Sequence, residues 1–331
     1  SRVLLLKKSS ALPSVRAMAG AFSSSFVWAL ACEGSLAVAS MVLSPRIYPS
    51  DYSKAKAKLW HTTVASLFPS LFAPYYAVPG LLAIDLTSRQ ILLAPSSVRL
   101  WQALGVSMAH FSLDFVAMAA YADDFREAMR RPLYNQMMFH HLASLALWPY
   151  AMARGKCVAP VAYFMVTEAS NAFLNLRWLC SELRLPRLRF LFDVLFLLSY
   201  TLVRVVPCFF AAALLLRMDW PHYLQTANFL DLLGTAFVSV PFGLNLFWYS
   251  IILKTARKHI DATTTKVKVR KAQPPSSGGG GGAESQSEGD DANRGDDQRL
   301  FPKNHGASSS NGHQPTTLNT ERQPTTLKKE Q

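Results

Sequence analysis

The chain has 331 residues, half of them apolar and only 17% charged, where a typical soluble domain is about 25% charged. Nearly all the apolar weight lies between Ala19 and Leu253, which excludes a single soluble globule and leaves a membrane body followed by a polar tail. The net charge of +13 suits cytosolic loops facing anionic headgroups, and no nucleic-acid partner is expected.

Position 1 is not Met. Ser1–Ala17 carries Arg2, Lys7, Lys8 and Arg16 around an apolar patch too short for a signal-peptide core. Met18 begins a more natural-looking N-terminus, and residues 1–17 are expected to carry no function. A spanning helix needs about 20 mostly apolar residues. On that basis seven spans are expected, at 19–43, 58–79, 100–121, 135–153, 157–180, 189–216 and 228–254. The stretch from Leu81 to Val98 holds Asp85, Arg89 and a Pro at each end, and reads as a loop or an interfacial helix. Residues 18–54 form the first helix and its loop, 55–255 one domain, and 256–331 a tail.

Arginine and lysine set the orientation, because loops rich in them stay cytosolic. Arg46, Lys54, Lys56, Lys58, Arg126, Arg130, Arg131, Arg184, Arg187 and Arg189 fall on one side. Arg89, Arg99, Arg154, Lys156 and Arg217 fall on the other. Lys254, Arg257, Lys258 and the basic residues up to Lys271 join the first group, so the C-terminus is expected in the cytosol.

From about Asp261 the chain loses its apolar residues and becomes rich in Pro, Gly and Asp, a composition that stays disordered. The QPTTL run at 314–318 recurs at 323–327, a short duplication within the tail. Lys328 and Lys329, at the fourth and third positions from the end, resemble a dilysine retrieval signal. They predict an endoplasmic reticulum address and a coat-complex reader as partner.

The four cysteines have no CxxC spacing and no finger-spaced His, so a zinc module or a disulfide framework is not expected. They read as small buried apolar residues. There is no GxSxG elbow, P-loop or GxGxxG. Any chemistry must therefore come from polar residues inside the membrane body. A charge at the bilayer centre costs about 2.5–3.5 kcal/mol on insertion scales, so such residues are functional candidates. The alternative is that they tie helices together through hydrogen bonds of about 0.6–2 kcal/mol.

His140 and His141 in the fourth span lead the list. Adjacent helical side chains point about 100° apart, so one can face the interior while the other packs on a neighbour. Ser144 is one turn beyond His140. A histidine can shuttle protons or act as a nucleophile near neutral pH. No third ligand stands at a telling spacing, so a metal is not expected. In the fifth span Glu168, Asn171 and Asn175 share one stripe, which would line a polar cavity or lock the bundle. Arg177 is expected to snorkel to the headgroups. His110 and Asp114 in the third span are one turn apart and can pair. Arg204, deep in the sixth span, needs a partner from another helix or a lipid phosphate. Glu33 and Asp231 are placed nearer helix ends, where they would reach the interface, and Asn245 completes the set.

Taken in order, His140-His141-Leu-Ala-Ser144, Glu168-Ala-Ser-Asn171-Ala-Phe-Leu-Asn175-Leu-Arg177-Trp178, Arg204 and Asn245-Leu-Phe-Trp248 resemble the TLC-domain family. That family includes the ceramide synthases and a translocon-associated membrane protein. The likeness is greatest to an uncharacterised TLC-domain-containing group and covers about residues 55–255. It implies an all-α multi-pass membrane protein of seven helices, six of them in a TLC-type barrel, followed by the disordered cytosolic tail. It also implies work on membrane lipids, often in the endoplasmic reticulum. His140 and His141 match the paired His that is implicated, in ceramide synthases, in acyl transfer from acyl-CoA. Those enzymes carry a His-Asp and a further Asp beyond the pair, where this chain reads Thr167-Glu168 and Asn171. The resemblance implies no resident cofactor, with acyl-CoA as co-substrate. Two readings stay open. In the first, His140 or His141 is the acyl acceptor or general base and Glu168 orients it. His110, Asp114, Ser144, Asn171, Asn175 and Arg204 then hold the substrate. In the second, the protein is a non-catalytic lipid sensor, scaffold or cargo receptor.

Overall fold

The computed structural model describes residues 13–47, 52–129 and 131–272, with the side chains of 238 and 258–272 left aside. Every regular element among the described residues is helical. The chain divides into two units, Ser1–Thr263 and Thr264–Gln331. The expected disordered tail and the dilysine end lie almost wholly outside the described residues; of the second unit only a helical backbone to Ala272 is described.

The first unit contains α1 (Val15–Leu43), α2 (Lys54–Ala65), α3 (Leu67–Leu82), α4 (Val98–Ala120), α5 (Ala122–Met129) and α6 (Arg131–Arg154). There follow α7 (Val158–Thr167), α8 (Ala169–Glu182), α9 (Pro186–Tyr200), a π-helical turn (Thr201–Val205), α10 (Val206–Leu216), α11 (Trp220–Thr226) and α12 (Phe229–Ala272). Side-chain caps mark several starts: Ser14 accepts from Ala17 N–H at 3.2 Å, and Ser97 from Leu100 N–H at 3.4 Å. Asn228 and Asp231 bond each other's backbone N–H reciprocally at the start of α12, as in a capping box.

Among the described residues, four helical stretches are long and apolar enough to cross a membrane: Val15–Arg46, Val98–Ala120, Pro186–Leu216 and Phe229–Arg257. The other three expected spans correspond to α2 with α3, to the more polar α6, and to α7 with α8. Two of these differ from unbroken helices for identifiable reasons. Pro69 has no N–H for the Ala65 carbonyl, and a proline ring clashes with the carbonyl four residues back, so the helix breaks at Ser66. At Glu168, the Thr167 hydroxyl takes the Phe164 carbonyl at 2.7 Å and Ser170 takes that of Thr167 at 2.9 Å. Such back-bonding competes with the helical ladder. The π-helical turn has the same kind of cause. Pro207 opposes the Val203 carbonyl, and Val206 N–H reaches back to Thr201.

The stretch between α3 and α4 is neither plain loop nor surface helix. Its 3-10 turn, Ile91–Leu93, is buried, and Leu92 O accepts from Cys157 N–H at 2.7 Å. Cys157 pays for that contact with a left-handed backbone, φ 57°. The largest core cluster joins this turn to α4, α6 and α7 through Leu100, Leu104, Phe111, Trp148, Met152 and Val161.

Helix α1 packs along α4. The approach is close because residue 105 is glycine: a Cβ there would lie 2.6 Å from the Phe22 carbonyl oxygen. The outward faces of α1, α9 and α10 are apolar and exposed, with Val27, Val38, Val42, Phe190, Phe209 and Leu216 among them, as lipid contact requires.

Candidate functional site

Two polar clusters lie near the middle of the long helices. The first joins α1, α4 and α6. Glu33, expected at an interface, is instead 1% exposed, and its Oε2 lies 3.1 Å from His110 Nδ1. His110 Nε2 is 3.8 Å from Asp114 Oδ2, and the same oxygen is 4.0 Å from His141 Nε2. Phe111 is layered against His141 with ring centres 5.4 Å apart and meets His140 edge-on at 5.5 Å. Buried Glu33 Oε1, His141 Nδ1 and Ser107 Oγ have no hydrogen-bond partner among the described residues. Leaving a buried polar group unpaired costs about 1–3 kcal/mol, so Glu33 and His141 are expensive where they stand.

The paired histidines divide as their 100° separation requires. His141 is 1% exposed, while His140 is exposed and makes no hydrogen bond among the described residues. Ser144 is buried with His141.

The second cluster joins the α7–α8 break, the π-helical turn and α12. Arg204 Nε donates to Ser170 Oγ at 2.8 Å, and Nη2 donates to Asn171 Oδ1 at 2.9 Å and to the Thr167 carbonyl at 3.1 Å. Nη1 reaches Asn245 Oδ1 at 3.4 Å, and the guanidinium lies 5.3 Å from the centre of the Tyr200 ring. The local folds make this possible. The break at Glu168 frees the Thr167 carbonyl, and the wide π turn re-aims Arg204. Tyr163 and Cys208 take the Arg204 carbonyl, at 3.0 and 2.7 Å.

Glu168 does not touch either paired histidine. Its Oε2 accepts from Asn171 Nδ2 at 2.7 Å. Asn175 is half-buried and makes no hydrogen bond among the described residues. Arg177, expected to snorkel, is instead paired with Asp193 of α9.

Asp231 was also expected at an interface. Its side chain is fully buried, 3.3 Å from Arg154 Nη2 and 3.0 Å from Lys156 Nζ, with Tyr150 donating at 3.0 Å. Beside it Tyr223 bonds Thr235 at 2.6 Å, and burial pushes the Tyr223 phenol up to about 12, so it stays a protonated donor. This clasp ties the start of α12 to the end of α6 and lies apart from the histidines. Among the described residues no group of three His, Cys, Asp or Glu is arranged to hold a metal ion.

Residues 57–254 match the model of one family, described as the TLC domain. The chain belongs to the TLC-domain family. Its TLC domain runs from within α2 into α12 and contains every residue of both clusters except Glu33. A TLC domain in an all-α multi-pass membrane protein indicates a function related to membrane lipids, in contact with lipid. No curated protein and no solved structure matches the chain.

Sequence reasoning named Glu33, Asn171 and Asn245 but missed the pairing of Glu33 with His110 and the Thr167 carbonyl as an acceptor for Arg204. Glu33 had one available signal: it is the sole acidic residue between Ala19 and Leu43. The Thr167 carbonyl had none, because it is freed only by the break in the helix.

Proposed function

We propose that this TLC-domain protein acts in membrane lipid homeostasis in the endoplasmic reticulum, with a histidine-dependent acyl transfer to a membrane lipid. The observation that supports this best is the paired His140 and His141 of α6, with His141 Nε2 4.0 Å from the Asp114 carboxylate. His140 is the accessible ring of the two and is the candidate general base. In the transfer, an acyl thioester such as acyl-CoA is the donor, and an amine or hydroxyl of the acceptor lipid is the nucleophile. The imidazole takes the acceptor's proton as the new C–N or C–O bond forms. The C–S bond breaks, and the thiolate leaves with the proton returned by the ring. Asp114, beside His141, and Arg204 are the groups that would hold polar parts of the substrate. The basic side of the membrane body and the Lys328-Lys329 end support a cytosolic C-terminus read by a coat complex.

A specific observation favours a second reading, that of a non-catalytic sensor, scaffold or cargo receptor. Arg204, Asn171 and Glu168 already satisfy one another, as structural polar residues in membranes do. Expression of the intact chain and of a His140→Ala, His141→Ala variant at equal levels, followed by profiling of sphingolipids and glycerophospholipids by acyl chain, separates the two. A change lost in a variant that still folds supports acyl transfer and names the lipid class. A change that persists in the variant overturns it in favour of binding or regulation.

A further inference from the structure

We propose that Glu33 is a positioning residue of this site: acting through His110, it fixes the protonation pattern that Asp114 presents to His141, so α1 completes the site from outside the TLC domain. This deepens the reading above and rests on it in one respect, that the buried histidines carry the function.

Three observations support it. First, Glu33, His110, Asp114 and His141 form one row across α1, α4 and α6, with successive separations of 3.1, 3.8 and 4.0 Å. A carboxylate on one ring nitrogen of a histidine holds a proton there and fixes the ring's orientation. A charged Glu33 keeps a proton on Nδ1 while a neutral one donates to it, so the charge on Glu33 sets the form of His110 that faces Asp114 across 3.8 Å. Second, Glu33 is costly where it is. It is a carboxylate 1% exposed, with one oxygen unpartnered among the described residues, on a helix whose outer face is apolar. A neutral glutamine would serve mere helix association at less cost. Third, the approach that brings it to His110 is built in. Gly105 admits the Phe22 carbonyl, and Ser25 and Ala29 are buried in the same seam. Helix α1 lies outside the matched segment 57–254, yet it contributes the group at one end of the row.

The test uses the full chain, labelled with nitrogen-15 at histidine, in nanodiscs of phosphatidylcholine. Solid-state NMR reads the ring nitrogens of His110 and His141, each assigned by the resonance that its own substitution removes. Glu33→Gln keeps size and an acceptor but removes the charge. Ser25→Ala disturbs the same seam without touching any charge and serves as the packing control. The expected result is displacement of both the His110 and the His141 resonances in Glu33→Gln, with Ser25→Ala leaving both in place. An unmoved His141 in Glu33→Gln, or equal displacement in the two variants, overturns the inference. In the lipid profile Glu33→Gln is expected to reduce the change made by the intact chain by about tenfold, the order seen when a functional histidine loses its orienting partner. Full activity in a folded Glu33→Gln protein also overturns it. If the intact chain alters no lipid, the proposed function fails, and the His141 resonance still decides whether Glu33 acts on it.

Discussion

Arg204 Nε donates to Ser170 Oγ across 2.8 Å, joining the π-helical turn to the break between α7 and α8. Each interruption of regular helix supplies what the other lacks. The break offers a carbonyl and a hydroxyl, and the turn offers a cation whose burial needs them. Arg204→Ala is expected to destabilise the protein by about 3 kcal/mol, because it leaves buried acceptors from α7, α8 and α12 unpaired. Arg204→Lys is expected to rescue little, since one ammonium cannot reach acceptors fixed by a planar fork. Thermal unfolding in detergent checks both.

His140 and His141 are expected to respond oppositely to alanine. His141 is buried against Phe111, and truncation there leaves a cavity costing about 2–3 kcal/mol. His140 is exposed, and its loss is expected to change stability by at most about 0.5 kcal/mol. If His140 is the base, His140→Ala folds normally and loses the lipid change. The two single variants, compared by melting temperature and by lipid profile, separate the contributions.

Asp231→Ala is expected to cost about 3 kcal/mol, because Lys156 then stays in place without its counter-ion and α12 loses its capping partner. Asp231→Asn keeps the cap and is expected to cost less. Since this clasp stands apart from the histidines, both variants should retain lipid activity per folded molecule. Melting temperature and lipid profile, measured on the same preparations, check the separation.

Gly105→Leu is expected to push α1 off α4. Its Cβ would meet the Phe22 carbonyl oxygen at 2.6 Å, and backbone cannot yield as a flexible side chain can. Overpacking of this kind costs about 1–3 kcal/mol. Gly80→Ala is the comparison. There the Cβ meets Leu100 Cγ and Cδ2 at 2.6 Å, atoms of a fully buried side chain, so a loss of about 1–3 kcal/mol is expected there too, with α1 left against α4. The melting temperatures of the two variants check both losses.

Much of this architecture was legible in the chain itself. Apolar runs of spanning length placed α1, α4, α6, α9 with α10, and α12 close to where they lie. The breaks that Pro69 and Pro207 impose were not anticipated, since 58–79 and 189–216 were each read as one span. Of the stripe of Glu168, Asn171 and Asn175, the first two bond one another, while Asn175 makes no hydrogen bond among the described residues. Arg204 was expected to need a partner from another helix, and it has partners on three. By contrast, Glu33, Asp231 and Arg177 were read from their position toward the end of an apolar run, and the partners they meet, His110, Arg154 with Lys156, and Asp193, were not foreseen. Position in a run measures depth along one helix and says nothing of what stands beside it.

By itself the sequence determined the membrane body, the residues costly enough to matter there, and the face of its helix on which each lies. All of this follows from local quantities: run length and the 3.6-residue period. Only the tertiary structure decided that Glu33 meets His110 and that Arg204 takes a carbonyl freed by a broken helix. These pairings depend on which helices are neighbours and how closely they approach, and that is set by contacts between residues tens of positions apart. Helical periodicity carries no record of such contacts.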